Sequence, residues 1–306
     1  MNSKQLTRIV ILAGVVLVLL VASFGGYYYF DRYKYTGEDL SPIGKSIDEL
    51  EQAIRTDPQN PSLRAALAES YLLNKQYDKA VEQAGQVLAA EPENDRALLT
   101  LGISSYFLND PAAALEPLNS FIAIHEKATT ANVDSSLETA LYYQADCYLQ
   151  LGQPQEAIVA LNRALEINKT DSDAMYKLGR AYGQTGEHEK AITAYERAVL
   201  FVPNFSEAYQ GMAESYQALN QPERANYAQG MVSYCAKDYP AAVTELEKVV
   251  AALPDFVPAR LGLGLAYEGA NNLTAARETM VKTLELDPAN FAAQQALGRI
   301  DAALGK

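Results

Sequence analysis

Histidines, cysteines and convergent carboxylates are the side chains that move protons, attack carbonyls or hold metals, and this sequence has few of the first two. His125 and His188 are its only histidines, and neither has a Cys, Ser or Asp neighbour at the spacing of a triad or a ligand set. Cys147 and Cys235 lie 88 positions apart, which makes neither a disulfide framework nor a zinc site. Phosphate loops are missing: there is no G-x-x-x-x-G-K-[ST] and no G-x-G-x-x-G. The glycines of LGLGLAYEG at 261–269 read as small residues of a packed helix. No catalytic residue, cofactor site or metal site is expected, and an enzyme is the least favoured class. What the chain has in quantity is tyrosine, 20 of them with no tryptophan. What remains is a scaffold, a membrane component or a binding surface.

The elements that would carry such a surface follow from composition and periodicity. At 306 residues and 49% apolar, the chain is too long for one small core and too apolar to be disordered throughout. Its 25 Lys and Arg against 38 Asp and Glu give a net charge of -13, which argues against nucleic acid as a partner.

From Ile9 to Phe30 runs a stretch of 22 residues with no charge, closed by Tyr27, Tyr28, Tyr29 and Phe30. At about 1.5 Å per residue a helix of that length spans the roughly 30 Å core of a bilayer, with the rings at headgroup depth. It is longer than the apolar part of a cleaved signal, and no Cys follows it to take a lipid. The expectation is a transmembrane helix over 9–30 that anchors the chain in a lipid bilayer. Lys4 and Arg8 favour a cytoplasmic amino terminus, while Arg32, Lys34 and Lys45 weigh against it. The repeats are therefore expected on the periplasmic side of an inner membrane.

The remainder repeats itself. In the cleanest unit, Ser172 to Phe205, Leu178, Gly179 and Tyr182 fall at positions 7, 8 and 11 of 34. Gly186 is at 15, Ala191 at 20, Tyr195 at 24, Ala198 at 27 and Pro203 at 32. The pattern returns as Leu67, Ala68, Tyr71, Ala80 and Pro92, as Leu101, Gly102, Ala114 and Leu118, and as Ala145, Tyr148, Gly152 and Ala157. It recurs again as Leu263, Gly264, Tyr267, Ala276 and Pro288. Position for position, these residues resemble the tetratricopeptide repeat (TPR) family, except that position 4, often Trp there, is never Trp here.

The resemblance implies an all-α fold, a TPR superhelix of stacked helix hairpins, here with an N-terminal transmembrane helix. Small residues at positions 8 and 20 let the two helices of a hairpin approach, and Pro at 32 stops the second. The expected organisation is a tail over 1–8, the membrane helix, and a juxtamembrane linker over 31–44. An N-terminal array over 45–220 follows, with a half repeat and units near 61–94, 95–128, 138–171, 172–205 and 206–220. A C-terminal module over 221–306 ends in a capping helix.

Two spacings break the period. Ala114 to Ala157 is 43 residues, nine too many, with the surplus in the polar stretch Thr129–Leu137. Ala225 to Ala242 is 17 residues, half a period, so a helix around Glu223–Ala236 fits two roles. Either a joint at Asn220-Gln221-Pro222 splits the stack, or the stack continues through one irregular unit.

In TPR proteins the first helix of each unit lines a groove, chiefly with positions 2, 5, 9, 12 and 13. Carried over, these positions name Leu99, Tyr142, Tyr176 and Tyr227, with Tyr106, Phe107 and Tyr234, and with charges at Glu69, Asp146, Arg180 and Glu214. The Lys/Asn clamp that co-chaperone members use for acidic tails is absent from these positions. The resemblance therefore implies a scaffold that binds a protein or peptide partner of mixed character. The architecture is similar to that of single-pass bacterial inner-membrane TPR proteins that assist envelope assembly or secretion. Two other readings share it: a permanent accessory subunit of a large membrane protein complex, and a cytoplasm-facing assembly factor.

Overall fold

A computed structural model describes residues 42–305, all as helices and short turns. Among them are fifteen α-helices and one 3-10 turn, Ala131–Val133. The membrane run, the amino-terminal tail and most of the linker lie outside the described residues. The chain divides into two compact units between Thr100 and Leu101, inside a helix.

In the first unit lie α1 (Pro42–Thr56), α2 (Pro61–Leu73), α3 (Tyr77–Ala90) and the opening turns of α4 (Asp95–Phe107). Ile47, Leu67, Tyr71 and Ala80 form its core, with Leu50, Ile54 and Leu72 packed against them. α1 begins a turn before the expected half repeat, and its Glu51 accepts the Tyr71 hydroxyl. Asn60 caps α2 by accepting from the Leu63 amide, ahead of Pro61 at the first helical position.

The second unit continues from Leu101. Its first hairpin partner is α5 (Pro111–His125), followed by α6 (Ser135–Gln150) and α7 (Pro154–Ile167). Then come α8 (Ser172–Gln184) with α9 (His188–Phe201), and α10 (Ser206–Ala218) with α11 (Pro222–Cys235). α12 (Tyr239–Ala252), α13 (Val257–Gly269), α14 (Leu273–Leu286) and α15 (Phe291–Ala303) complete it. From α6 to α14 each helix packs on the one before and the one after, so one apolar core runs from Ala131 to Ala266 and a smaller one from Ala276 to Ile300. Met175 and Tyr209, which stand where the family has Trp, are both buried.

The turn inside each hairpin is built alike. Lys75, Asn109, Gly152, Gly186, Asn220, Lys237 and Asn271 all have positive φ, between 54° and 79°. The next residue's amide donates to the carbonyl five back, as Glu187 does to Tyr182 at 2.9 Å, which ties off the helix end. Close approach is built alike too. A Cβ on Gly102 would lie 2.6 Å from Leu118, and one on Gly179 would lie 2.5 Å from the Tyr195 ring.

The half-period slip has a physical resolution. α11 is entered through the left-handed Asn220 turn and left through the left-handed Lys237 turn, so both of its ends are hairpin turns. Its Ala225 is the small residue of a second helix, facing α10, and its Gly230 approaches Leu246 of α12 as Gly179 approaches Tyr195. One helix serves as the second member of one hairpin and the first member of the next.

The nine surplus residues are shared between a loop and a helix extension, since α6 starts three residues before Glu138. Asp134 caps α6 through the Ser136 and Leu137 amides and meets His125 Nδ1 at 2.6 Å. Burial pushes the Asp134 carboxyl up, but these bonds outweigh it and hold the group below its usual range. His125 itself stacks on Phe121, with ring centroids 3.9 Å apart. Arg163 of α7 fastens the same loop at Glu126 (2.7 Å) and Asn132 (3.0 Å).

Candidate functional site: the face of the first helices

In the second unit the first helices α6, α8 and α10 leave two clefts between alternate neighbours. One, of about 280 Å³, is lined by Arg180, Gly183 and Gln184 of α8, by Gly211, Glu214 and Ser215 of α10, and by His188 and Tyr195 of α9. The other, of about 320 Å³, is lined by Glu138, Thr139, Tyr142 and Tyr143 of α6 and by Asp171 and Asp173 at the start of α8. The residues expected to face a partner behave in three different ways along this face.

Phe107, Tyr106, Tyr143 and Tyr142 form a continuous cluster of rings. Centroid separations are 5.2 Å for Tyr106–Phe107, 4.9 Å for Tyr106–Tyr143, 5.7 Å for Phe107–Tyr143 and 5.4 Å for Tyr142–Tyr143. Phe107 is 45% exposed, while Tyr106, Tyr142 and Tyr143 are half-buried. Tyr176 is half-buried against Phe205, and the exposed Arg180 guanidinium lies 5.9 Å from its ring centre.

Asp146 behaves differently. Its carboxylate receives the Lys177 ammonium at 2.6 Å, the Tyr106 hydroxyl, and the Gln150 amide at 3.5 Å. The side chains of Lys177 and Asp146 are only 12% and 8% exposed. Burial pushes the Asp146 carboxyl up, yet the Lys177 and Tyr106 bonds outweigh it and hold the group below its ordinary value. Lys177 also sits 5.0 Å from the Tyr142 ring centre. This charge is committed to an internal network, and position 9 of that unit offers a partner little.

Tyr227 is the third case. It is 8% exposed, edge-on to Tyr209 and to Phe256, so it belongs to the core. It packs between Tyr209 of α10 and Phe256, the residue before α13. Tyr234 stays half-buried beside Tyr239, and Leu99 is half-buried in the first compact unit. Glu69, also in that unit, is paired with Arg96.

Sequence reasoning passed over Tyr143, Glu138, Asp171 and Asp173. Tyr143 occupies position 6, outside the usual groove set, and it is reached through the adjacent rings of Tyr106 and Phe107. Glu138 and Asp171 come together only because α6 and α8 are neighbours. Burial, then the Asp171 hydrogen bond and charge, push the Glu138 carboxyl up to about 7.

Among the described residues, no group of three His, Cys, Asp or Glu is placed to hold a metal ion. Burial pushes the thiols of Cys147 and Cys235 up, to about 12 and about 11, which disfavours the thiolate of each at neutral pH. Among the same residues no helix is long and apolar enough to cross a membrane.

Comparison with known proteins fits this architecture. Tetratricopeptide repeat models match residues 49–82, 74–129, 148–214 and 236–305. The chain belongs to the tetratricopeptide repeat family. Two crystal structures of MamA are 28% identical to it; they cover 57% and 56% of this chain and 91% and 95% of their own, with TM-scores of 0.51 and 0.50. The crystal structure of YrrB, described as a TPR protein with an unusual peptide-binding site, shares the fold at 16% identity and a TM-score of 0.54. It covers 64% of this chain and 96% of its own. No curated protein matches the chain in sequence. The TPR fold is that of protein-interaction scaffolds, which suggests a protein or peptide as partner.

Proposed function

We propose that this TPR protein is a single-pass membrane adaptor that holds another protein close to a bilayer. The observation that carries the reading is the ring cluster Tyr106, Phe107, Tyr143 and Tyr142 on the first helices, with Tyr176 and Arg180 beyond it. Rings that are partly exposed, flanked by charge and fixed on rigid helices are what a peptide groove needs. The uncharged run Ile9–Phe30 supports an anchor, and Lys4 and Arg8 support repeats on the periplasmic side of an inner membrane. A tether raises the local concentration of the partner, so a groove of modest affinity suffices. By analogy of architecture, envelope protein assembly or secretion is the pathway, and we assign the chain no catalytic step.

Co-purification in mild detergent tests this. Wild-type protein should retain its partner, and the double variant Phe107→Ala/Tyr143→Ala should lose about tenfold or more, the usual effect of truncating two ring anchors. Val159→Ala/Leu200→Ala, which removes exposed side chains of second helices, should retain it. Loss with the second pair and not the first would overturn the groove. One fixed stoichiometric set of partners would identify a permanent complex subunit in place of a cycling adaptor. Protease added to intact spheroplasts should digest the repeats; full protection would place them in the cytoplasm.

A further inference from the structure

The cleft beside the ring cluster has a chemistry of its own. Tyr142 and Tyr143 meet at 87°, giving a two-walled aromatic corner, and the corner opens onto Glu138, Asp171 and Asp173. No cationic side chain lines it. Lys177 of α8 packs over Tyr142 while bonded to Asp146, and its side chain is largely withdrawn from solvent. Burial, then the charges of Asp173, Asp146 and Asp171, push the Tyr142 hydroxyl above its ordinary range. Walls that attract cations through their faces stand beside carboxylates that lack a counter-charge.

We propose that this corner receives a lysine or arginine side chain from a basic segment of the protein held in the groove. The inference rests on the groove reading above and names the charge of what the groove takes. A ring face and a carboxylate together bind an ammonium or guanidinium better than either alone. An acidic segment would meet the like charges of Asp171 and Asp173, and an apolar one would desolvate these carboxylates without supplying a counter-charge. A bare metal ion is a poorer match, because these carboxylates do not converge on one point. The cleft of about 320 Å³ admits a long side chain with the backbone around it.

A pH signature follows. Glu138 is hydrogen-bonded to Asp171 and keeps its proton up to about pH 7. An arriving cation favours the ionised pair, so affinity should rise with pH through that value. The other titratable groups lining the corner are Asp173 of α8 and Tyr142 and Tyr143 of α6, with the paired Asp146 and Lys177 against Tyr142.

The test uses the full chain and two probes, acetyl-(Gly-Lys)5-amide and acetyl-(Gly-Glu)5-amide, followed by calorimetry near physiological salt. The lysine probe should bind and the glutamate probe should not. Glu138→Gln/Asp173→Asn and, separately, Tyr143→Leu should each weaken binding by about tenfold. The charge-matched outer-face pair Glu166→Gln/Glu189→Gln should leave it unchanged. Lowering pH from 8 to 6 should weaken binding to the wild type and have less effect on Glu138→Gln, with thermal melts confirming that each variant folds. Equal loss from both carboxylate pairs would reduce the effect to diffuse attraction by an acidic chain, and overturn the proposal. Failure of the lysine probe to bind would do the same. If groove-face crosslinks to the natural partner form and the lysine probe does not compete for them, this inference fails and the groove reading stands.

Discussion

Tyr195 is held between two glycines: a Cβ added at Gly179 would lie 2.5 Å from its ring, and one at Gly211 would lie 2.4 Å from it. The ring fills the space those missing methyl groups leave, so a methyl at either glycine forces it out of place. Gly179→Ala should therefore destabilise the fold by about 1–3 kcal/mol in urea unfolding. Gly183→Ala on the same helix meets nothing within 4 Å and should stabilise by about 0.5–1 kcal/mol. The ordering of the two is the decisive outcome. The buried Asp146–Lys177 pair gives a second residue-scale expectation. Lys177→Met strands a carboxylate in the interior and should cost about 3–5 kcal/mol. Because the folded Asp146 carboxyl is held below its unfolded value of about 3.9, the stability it contributes is fully present above that value. It is lost as pH falls through the lower folded value. The melting-temperature gap between wild type and Lys177→Met should therefore narrow on acidification from pH 5 toward 2. The small-residue positions were legible because a 34-residue period repeats them. The fate of Asp146 was not, because its partner lies 31 residues on and no local spacing announces a contact between alternate helices.

At the scale of elements, helices and hairpins were largely readable: Pro at unit ends, Ala and Gly at close-approach positions, and apolar residues at helical spacing. The turns were only half readable. Asn109, Asn220 and Asn271, with Gly152 and Gly186, suit left-handed backbone, but Lys75 and Lys237 adopt it with no side-chain reason to do so. They do so because the flanking helices dictate the turn. Lys237→Gly should accordingly gain about 0.5 kcal/mol, and Asn220→Gly should change little, both by thermal unfolding. A loss at Lys237→Gly would mean that the turn is not strained. The double use of α11 was visible in sequence only as a spacing of 17 between Ala225 and Ala242. The left-handed turns at Asn220 and Lys237, one at each end of α11, are not announced by that spacing, and neither is the packing of Tyr227 between Tyr209 and Phe256. The Thr129–Leu137 surplus shows the same limit. Its place was evident from the period, whereas the His125–Asp134 clasp that organises it joins residues on either side of the loop.

For the molecule as a whole, the repeat pattern identified the family, and the family implies a scaffold. What a scaffold holds is not written in its repeats, because the residues that build the hairpins and those that face a partner alternate on the same helices. Exposure separates them: Phe107, Tyr143, Tyr176 and Arg180 remain accessible on one face of the second unit, while Tyr195, Tyr209 and Tyr227 are buried beneath it. The claim that this face binds protein is tested most directly by a photo-crosslinking residue placed at Tyr176 and, in a parallel sample, at Glu189 on the second helix of that hairpin. Crosslinks to a discrete partner from position 176 and not from 189 are the predicted result. Crosslinks from 189 alone, or equally from both, would contradict it.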